Sequence, residues 1–401
     1  MHRAPKFTTS LILFAILTAC SDSIPPPELD GLWSVGATTF ELHNEKKWIQ
    51  IRAWYPSTQK SEEKLLSSDK HTNEAFSEVM GIPGFLMGDE MSSRSSLDVD
   101  VTEGIFPVII FNHGLMSYAR QNTTQFEQLA SHGYIVMSVA NPGDSMLVVR
   151  QNGDVVKPAK DSAAYQALKN QNDNFEELVP RLKKDIDNAK SSNGFPEFSA
   201  HMKTLAENPV FAPISDVFSS VLENNLLLIN SLQSIQSGEA KTLLKGHIDL
   251  QRIGAYGHSF GSIISGVLAM ENPNIKAIVG LDAPQLNLTS IKYQKINIPA
   301  CYVYADALEY GGELISFNKI NKPLLNKAGS CEALFKESSH YNFTDLNLVT
   351  PLRYSAMLGD VNNELMATNL EKLLLSFFDT HLKHKNVLQG LTLEQVEITL
   401  Y

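Results

Sequence analysis

The sequence predicts an α/β fold with a mostly parallel central sheet, helices on both faces and a helical cap insertion. Three observations carry that expectation. Short, continuous runs rich in Val and Ile recur from Phe106 onward, as strands covered on both faces require. Helical patterns lie between them, and strand, helix, strand in alternation gives a parallel sheet with right-handed crossovers. The 401 residues are 43% apolar and 19% charged, enough for a large core and too apolar for a disordered chain. The formal charge of −11 argues against nucleic-acid binding, which calls for a basic patch.

The chain begins with a targeting segment. Arg3 and Lys6 precede an uncharged run from Thr8 to Ala19, much shorter than the roughly 20 residues that cross a bilayer. Leu17-Thr18-Ala19-Cys20 then looks like a bacterial lipobox, in which cleavage precedes the cysteine and its sulfur receives a diacylglyceryl group. An ordinary secretory signal with an incidental cysteine is the other reading. Residues 1–19 are expected to be the signal peptide, and 20–36 a lipidated Cys20 followed by a tether stiffened by Pro25, Pro26 and Pro27. Two acyl chains already anchor stably, since each buried CH₂ adds about 0.8 kcal/mol. Ser21 in place of an aspartate favours the outer over the inner membrane, with the folded domain periplasmic or surface-exposed. Cleavage removes two of the 33 basic residues and no acidic one, taking the charge from −11 to −13.

Residues 37–401 form the expected catalytic domain. Strand patterns fall at Thr38–Leu42, Trp48–Tyr55, Phe106–Phe111, Tyr134–Ala140, Arg252–Tyr256, Ala277–Leu281, Pro299–Ala305 and Glu332–Lys336. Helical patterns fall at Thr123–His132, Phe218–Gln236, Ser262–Met270 and Asn362–His384. Between Ser145 and Leu250 no strand is expected, only charged helical stretches at Ala164–Leu168 and Phe175–Ala189. The insertion proper, 148–213, reads as a helical cap beside the carboxyl edge of the sheet. Cys301 and Cys331 each begin a strand-like run. In neighbouring parallel strands they would lie within disulfide reach, so a bridge and two free buried thiols both stand open.

Ile253-Gly254-Ala255-Tyr256-Gly257-His258-Ser259-Phe260-Gly261 carries the chemistry. A β-run enters Gly257-x-Ser259-x-Gly261 and a helical pattern leaves it, the context of a nucleophile elbow in an α/β-hydrolase fold. A serine hydroxyl needs a base, and the base needs a carboxylate to orient it. In this fold the chain order is serine, acid, histidine. His340, His381 and His384 are the histidines after the elbow. The last two lie in the C-terminal helix, whereas His340 sits in the loop after Glu332–Lys336. Two aspartates end strands, Asp282 and Asp306, and across the wider fold the acid most often follows the later one. The oxyanion hole needs two backbone amides. Phe260, after the nucleophile, supplies one, and Leu115, in the loop Asn112-His113-Gly114-Leu115, the other. His113 reads as an organiser of that loop.

The residues also resemble a family. Arg52-Ala53-Trp54-Tyr55-Pro56, Pro107-Val108-Ile109-Ile110-Phe111-Asn112-His113-Gly114-Leu115 and Ala130-Ser131-His132-Gly133-Tyr134-Ile135-Val136 occur in order. Gly257-His258-Ser259-Phe260-Gly261, Leu281-Asp282-Ala283 and His340-Tyr341-Asn342-Phe343-Thr344-Asp345 follow them. Together they look like the plasma and type II intracellular platelet-activating-factor acetylhydrolases and their bacterial relatives, from about Trp48 to His384. The resemblance implies Ser259 as nucleophile, Asp282 as acid, with Asp306 the alternative, His340 as base, and oxyanion amides on Leu115 and Phe260. It also implies calcium-independent hydrolysis of phospholipids with short or oxidised acyl chains, or of other soluble esters. The segment Ala283-Pro284-Gln285-Leu286 lacks the aromatic pair of the animal enzymes, and the insertion exceeds theirs.

The expected activity is therefore that of a serine ester hydrolase acting through an acyl-enzyme, with no cofactor and no metal. The apolar loop Met80–Met87 and Phe195, Phe198 and Phe211 of the cap are candidates to meet an apolar substrate. A non-catalytic envelope lipoprotein using a hydrolase fold for binding, and a lipase or polyester hydrolase of longer substrates, are the alternatives.

Overall fold

The computed structural model describes residues 26–61, 69–81, 92–288, 293–306, 308–310, 313–315, 320–348 and 358–401. Cys20 and Ile82–Met87 lie outside the described residues. In chain order the strands are β1 (Ser34–His43), β2 (Trp48–Ser57), β3 (Ser96–Leu97), β4 (Phe106–Asn112), β5 (Ile135–Ala140), β6 (Val148–Val149) and β7 (Val155–Val156). They continue with β8 (Ile248–His258), β9 (Ile275–Leu281), β10 (Ala300–Ala305), β11 (Leu308–Tyr310), β12 (Glu313–Ile315), β13 (Cys331–Phe335) and β14 (Val396–Leu400). The helices are α1 (Lys70–Met80), α2 (Thr123–Ser131), α3 (Ala163–Lys190), α4 (Phe195–Ala206), α5 (Ala212–Ser237), α6 (Phe260–Glu271) and α7 (Asn363–Leu382).

Ten strands make one sheet in the order β14-β13-β10-β9-β8-β4-β5-β2-β1-β3. From β5 through β13 every neighbouring pair is parallel. β2 runs antiparallel to β1 and β5, and β14 antiparallel to β13. Alternation along β4 explains why both faces are covered: Val108 and Ile110 join one core, with α5 and α6, while Ile109 and Phe111 join the other, with α2 and α7. Each crossover is therefore an amphipathic or fully apolar helix that roofs one face. Chain order then places the ends of β4, β8, β9, β10 and β13 along a single carboxyl edge.

Three expectations need correction. The interval from Ser145 to Leu250 contains the antiparallel pair β6–β7, and β8 already begins at Ile248. Two-residue strands lack the periodicity that would mark them. The charged stretches of the insertion are one continuous helix, α3, followed by α4. Phe198, Met202 and Leu205 of α4 belong to the same buried cluster as α5 and α6, so the insertion extends the main core. The expected tether, 20–36, reaches into β1, and its described residues, 26–36, are held to the domain. Arg94 donates to the Pro26 and Pro27 carbonyls at 2.7 Å and pairs with Glu28. Trp33 donates to the Ser131 carbonyl, and Ser34 already begins β1.

Cys301 and Cys331 stand opposite one another in the β10–β13 ladder and are joined by a disulfide. Both are fully buried. The bond closes a loop with a sequence separation of 30, and the chain-entropy argument gives such a loop about 3–4 kcal/mol of stability. Replacing both cysteines by alanine is expected to lower the unfolding free energy by about that amount in urea titrations, and reduction should do the same. An unchanged midpoint would contradict it.

Candidate active site

Ser259 ends β8 and opens α6 with φ 56° and ψ −122°. That positive-φ conformation costs a non-glycine residue about 1–3 kcal/mol and persists only where its surroundings enforce it. The flanking glycines are a steric requirement. A methyl group on Gly257 would run into the Gly261 carbonyl, and one on Gly261 into the Asn112 carbonyl. The turn is fixed from the side by the Ser259 amide, which donates to the Leu281 carbonyl at 2.8 Å. Asp282, next along that strand end, also has positive φ, at 51°.

The structure brings Asp282 and His340 together. His340 Nδ1–H donates to Asp282 Oδ2 at 2.7 Å, and the Ala305 amide donates to Oδ1 at 3.0 Å. The Asp282 side chain is 1% exposed and that of His340 24%, so the pair is shielded on one side and reachable on the other. Asp306 is apart from this pair. It is exposed, and its Oδ2 accepts the Glu337 amide at 3.2 Å, capping the turn that leads into the His340 loop. His381 is bound to the Gly329 carbonyl on the far side of α7, and His384 lies just beyond that helix.

Polar contacts unseen in the sequence hold each loop. Asn321 accepts the Gln285 amide and donates to the Ala283 carbonyl, clamping the segment after Asp282. Gln285 in turn donates to the Ile263 carbonyl of α6. The His340 loop is a 3₁₀ turn, His340–Phe343, closed by a capping box between Ser339 and Asn342. Asn122 donates to the Phe343 carbonyl, and Asp345 accepts from the Thr124 amide and hydroxyl, so the loop is pinned to the start of α2. The sidedness of these Asn and Gln residues has no local signature in sequence.

The loop after β4 lies against Ser259: a methyl group on Gly114 would sit 3.6 Å from Ser259 Cβ. Among the described residues, neither the Leu115 nor the Phe260 amide finds a protein acceptor. His113 braces the loop. Its Nδ1–H donates to the Gly114 carbonyl at 2.7 Å and its Nε2 accepts from Ser145 Oγ at 2.7 Å. Burial lowers its pKa to about 4, so it stands neutral and organises the loop. Asn141 and Asn224 extend the contact to α5. Among the described residues no group of three or more His, Cys, Asp and Glu is placed to hold a metal ion.

Phe195, Phe198 and Tyr293 form one aromatic group with centroids 6.1–6.4 Å apart. Phe198 is fully buried, Phe195 partly, and Phe211 is a partly buried neighbour of the same core. Phe218 of α5 meets the Phe260 ring edge-on at 6.0 Å.

Asp345 has a pH consequence. Burial raises its pKa from 3.8 to about 7, against the lowering effect of its Thr124 hydrogen bonds. The folded state thus holds a proton the unfolded chain has released, and stability present below pH 3.8 declines as pH rises through about 7. In Asp345→Asn this decline is removed. The stability of the variant relative to the parent should rise by about 2–3 kcal/mol between pH 5 and pH 8 in urea titrations. A difference independent of pH would contradict the assignment.

A model of the family "Platelet-activating factor acetylhydrolase, isoform II" matches residues 18–186 and 214–397. The platelet-activating factor acetylhydrolase of Canis lupus familiaris is 23% identical over 368 residues, covering 89% of this chain and 77% of that protein. The enzyme of Bos taurus is 23% identical over 367 residues with the same coverage. Among solved structures, a ferulic acid esterase from Streptomyces cinnamoneus superposes with a TM-score of 0.64 at 16% identity, covering 94% of this chain and 99% of the other. That likeness shows the α/β-hydrolase fold. The gap between the two matched segments, 187–213, falls in the insertion around α4. Family and fold together support a serine ester hydrolase, and the chain belongs to the platelet-activating factor acetylhydrolase isoform II family.

Proposed function

We propose that this chain is a lipid-anchored carboxylic ester hydrolase that works through an acyl-enzyme on Ser259, with His340 as base and Asp282 as the acid that orients it. The observation that carries the reading is the 2.7 Å bond between His340 Nδ1 and the buried Asp282 carboxylate, beside the strained Ser259 turn. With its Nδ1–H committed to Asp282, the His340 ring keeps Nε2 as acceptor for the serine proton. Ser259 Oγ attacks the ester carbonyl, and the Leu115 and Phe260 amides receive the developing oxyanion. The alcohol leaves with the proton from His340, and water repeats the sequence to release the acid.

Phospholipids with short or oxidised acyl chains, or other small esters, are the proposed substrates. Family membership supports this class. With p-nitrophenyl esters, Ser259→Ala is expected to abolish turnover with the fold intact. Asp282→Asn should lose roughly 10⁴-fold in kcat, as a misoriented base does, while Asp306→Asn stays within a few-fold. Across acyl lengths kcat/KM should fall sharply beyond butyrate. Retained turnover in Ser259→Ala, or a preference for long chains, would contradict the respective claim.

Anchoring at Cys20 in the cell envelope, with the folded domain on the periplasmic or outer side, is the proposed location. Its support is the lipobox-like sequence; among the described residues, no helix is long and apolar enough to cross a membrane. Labelled palmitate should enter the parent protein and not Cys20→Ala, and equal labelling of the two would sink the anchor.

A further inference from the structure

His258 and Gln121 lie outside every role assigned above, yet they connect the two loops that flank the nucleophile. His258, the residue before Ser259, is 3% exposed, and its ring packs on that of His340 with centroids 4.5 Å apart. Its Nε2 is 2.9 Å from the backbone carbonyl of His340, and its Nδ1 is 3.0 Å from Gln121 Nε2. The oxygen of the same Gln121 side chain accepts the Gly114 amide at 3.3 Å. Gln121 Nε2 also reaches Asn122 Oδ1 at 2.8 Å.

The donor assignments follow from one another. A carbonyl only accepts, so the proton on His258 must sit on Nε2. Burial, with His340 close by, holds the His258 pKa down to about 3, so the ring carries a single proton and Nδ1 is an acceptor. Gln121 must then turn its NH₂ to His258 and its oxygen to Gly114. The resulting chain runs Gly114 N–H to Gln121 Oε1, Gln121 Nε2–H to His258 Nδ1, and His258 Nε2–H to the His340 carbonyl. It begins one residue before Leu115, passes beside the nucleophile and ends on the proposed base.

We propose that His258 and Gln121 are positioning residues for ester hydrolysis, which hold the Leu115 loop and the His340 loop in register on either side of Ser259. The inference rests on the reading of Ser259 and His340 as nucleophile and base. Neither residue touches the reacting atoms. A neutral His258 also lets His340 take up a proton without a second charge stacked against it.

The two nitrogens can be tested separately, because the asparagine amide falls near imidazole Nδ1 and the glutamine amide near Nε2. His258→Asn keeps the Gln121 contact and frees the His340 carbonyl. His258→Gln keeps the bond to that carbonyl, and Gln121 retains Asn122 as an acceptor. With p-nitrophenyl acetate, His258→Asn is expected to lose about 10- to 100-fold in kcat, the scale of a slightly misplaced reacting group. KM and the thermal midpoint should hardly change, and His258→Gln should recover most of the loss. If His258→Asn does not fold, Gln121→Met, which unlike His258→Gln also frees the Gly114 amide at the start of the Leu115 loop, should show a fall in kcat at unchanged KM. Parent-like kcat in His258→Asn would overturn the proposal, as would equal losses in the Asn and Gln variants accompanied by a lowered midpoint. If the parent protein itself fails to turn over esters, the underlying reading fails instead.

Discussion

The backbone of Ser259 is the constraint on which the remaining architecture depends. A serine held at φ 56°, ψ −122° stores about 1–3 kcal/mol, and the local chain alone would relax it. What prevents relaxation is convergence: α6 starts immediately after it, β4 passes within contact of both elbow glycines, and the Leu281 carbonyl holds its amide. The strain is offset by the apolar burial of β4, β8 and α6, where Ile110, Ala255 and Ile264 are fully buried in one core. A fully buried Ile side chain contributes about 1.5–3 kcal/mol, so a few such residues outweigh the turn.

The same convergence sets where the other groups can stand. β8 and β9 pair in register, His258 opposite Leu281, which puts Ser259 and Asp282 side by side just beyond the ladder. His340 arrives from β13, two strands further along, and its loop must reach back across the end of β10. The cost of ordering that reach is met by polar anchors: the Ser339–Asn342 box, Asn122 on the Phe343 carbonyl and Asp345 on Thr124. Rigid placement of this kind lets a histidine and a carboxylate act on a serine without reorganising at the moment of reaction.

How much was legible in the sequence follows from whether a feature is written locally. β4, β5, β9 and β10 are buried on both faces and read as apolar runs. β14 is half exposed, β3 and β6 are two residues long, and α1 is a short helix whose apolar residues fall only in its second half, so none of these is marked strongly in the sequence. The elbow was legible because its glycines answer a steric demand within five residues. Strand ends alone do not separate Asp282 from Asp306; in the sequence only the family resemblance favours Asp282, and in the structure the His340 bond does. His258 sits at a variable position of the elbow motif, and Gln121 is one glutamine among several, so their link to each other exists only in three dimensions. The prolines of the tether describe a stiff chain, and the contact of Arg94 with residues 26–28 is one that only the folded structure shows.

The most direct measurement of the central claim is active-site titration with a fluorophosphonate followed by peptide mass mapping, comparing folded and denatured protein. A strained, base-activated Ser259 predicts one adduct per folded chain, on the peptide carrying Gly257 to Gly261, and none after denaturation. No adduct on the folded protein, or an adduct on another serine, would contradict the account.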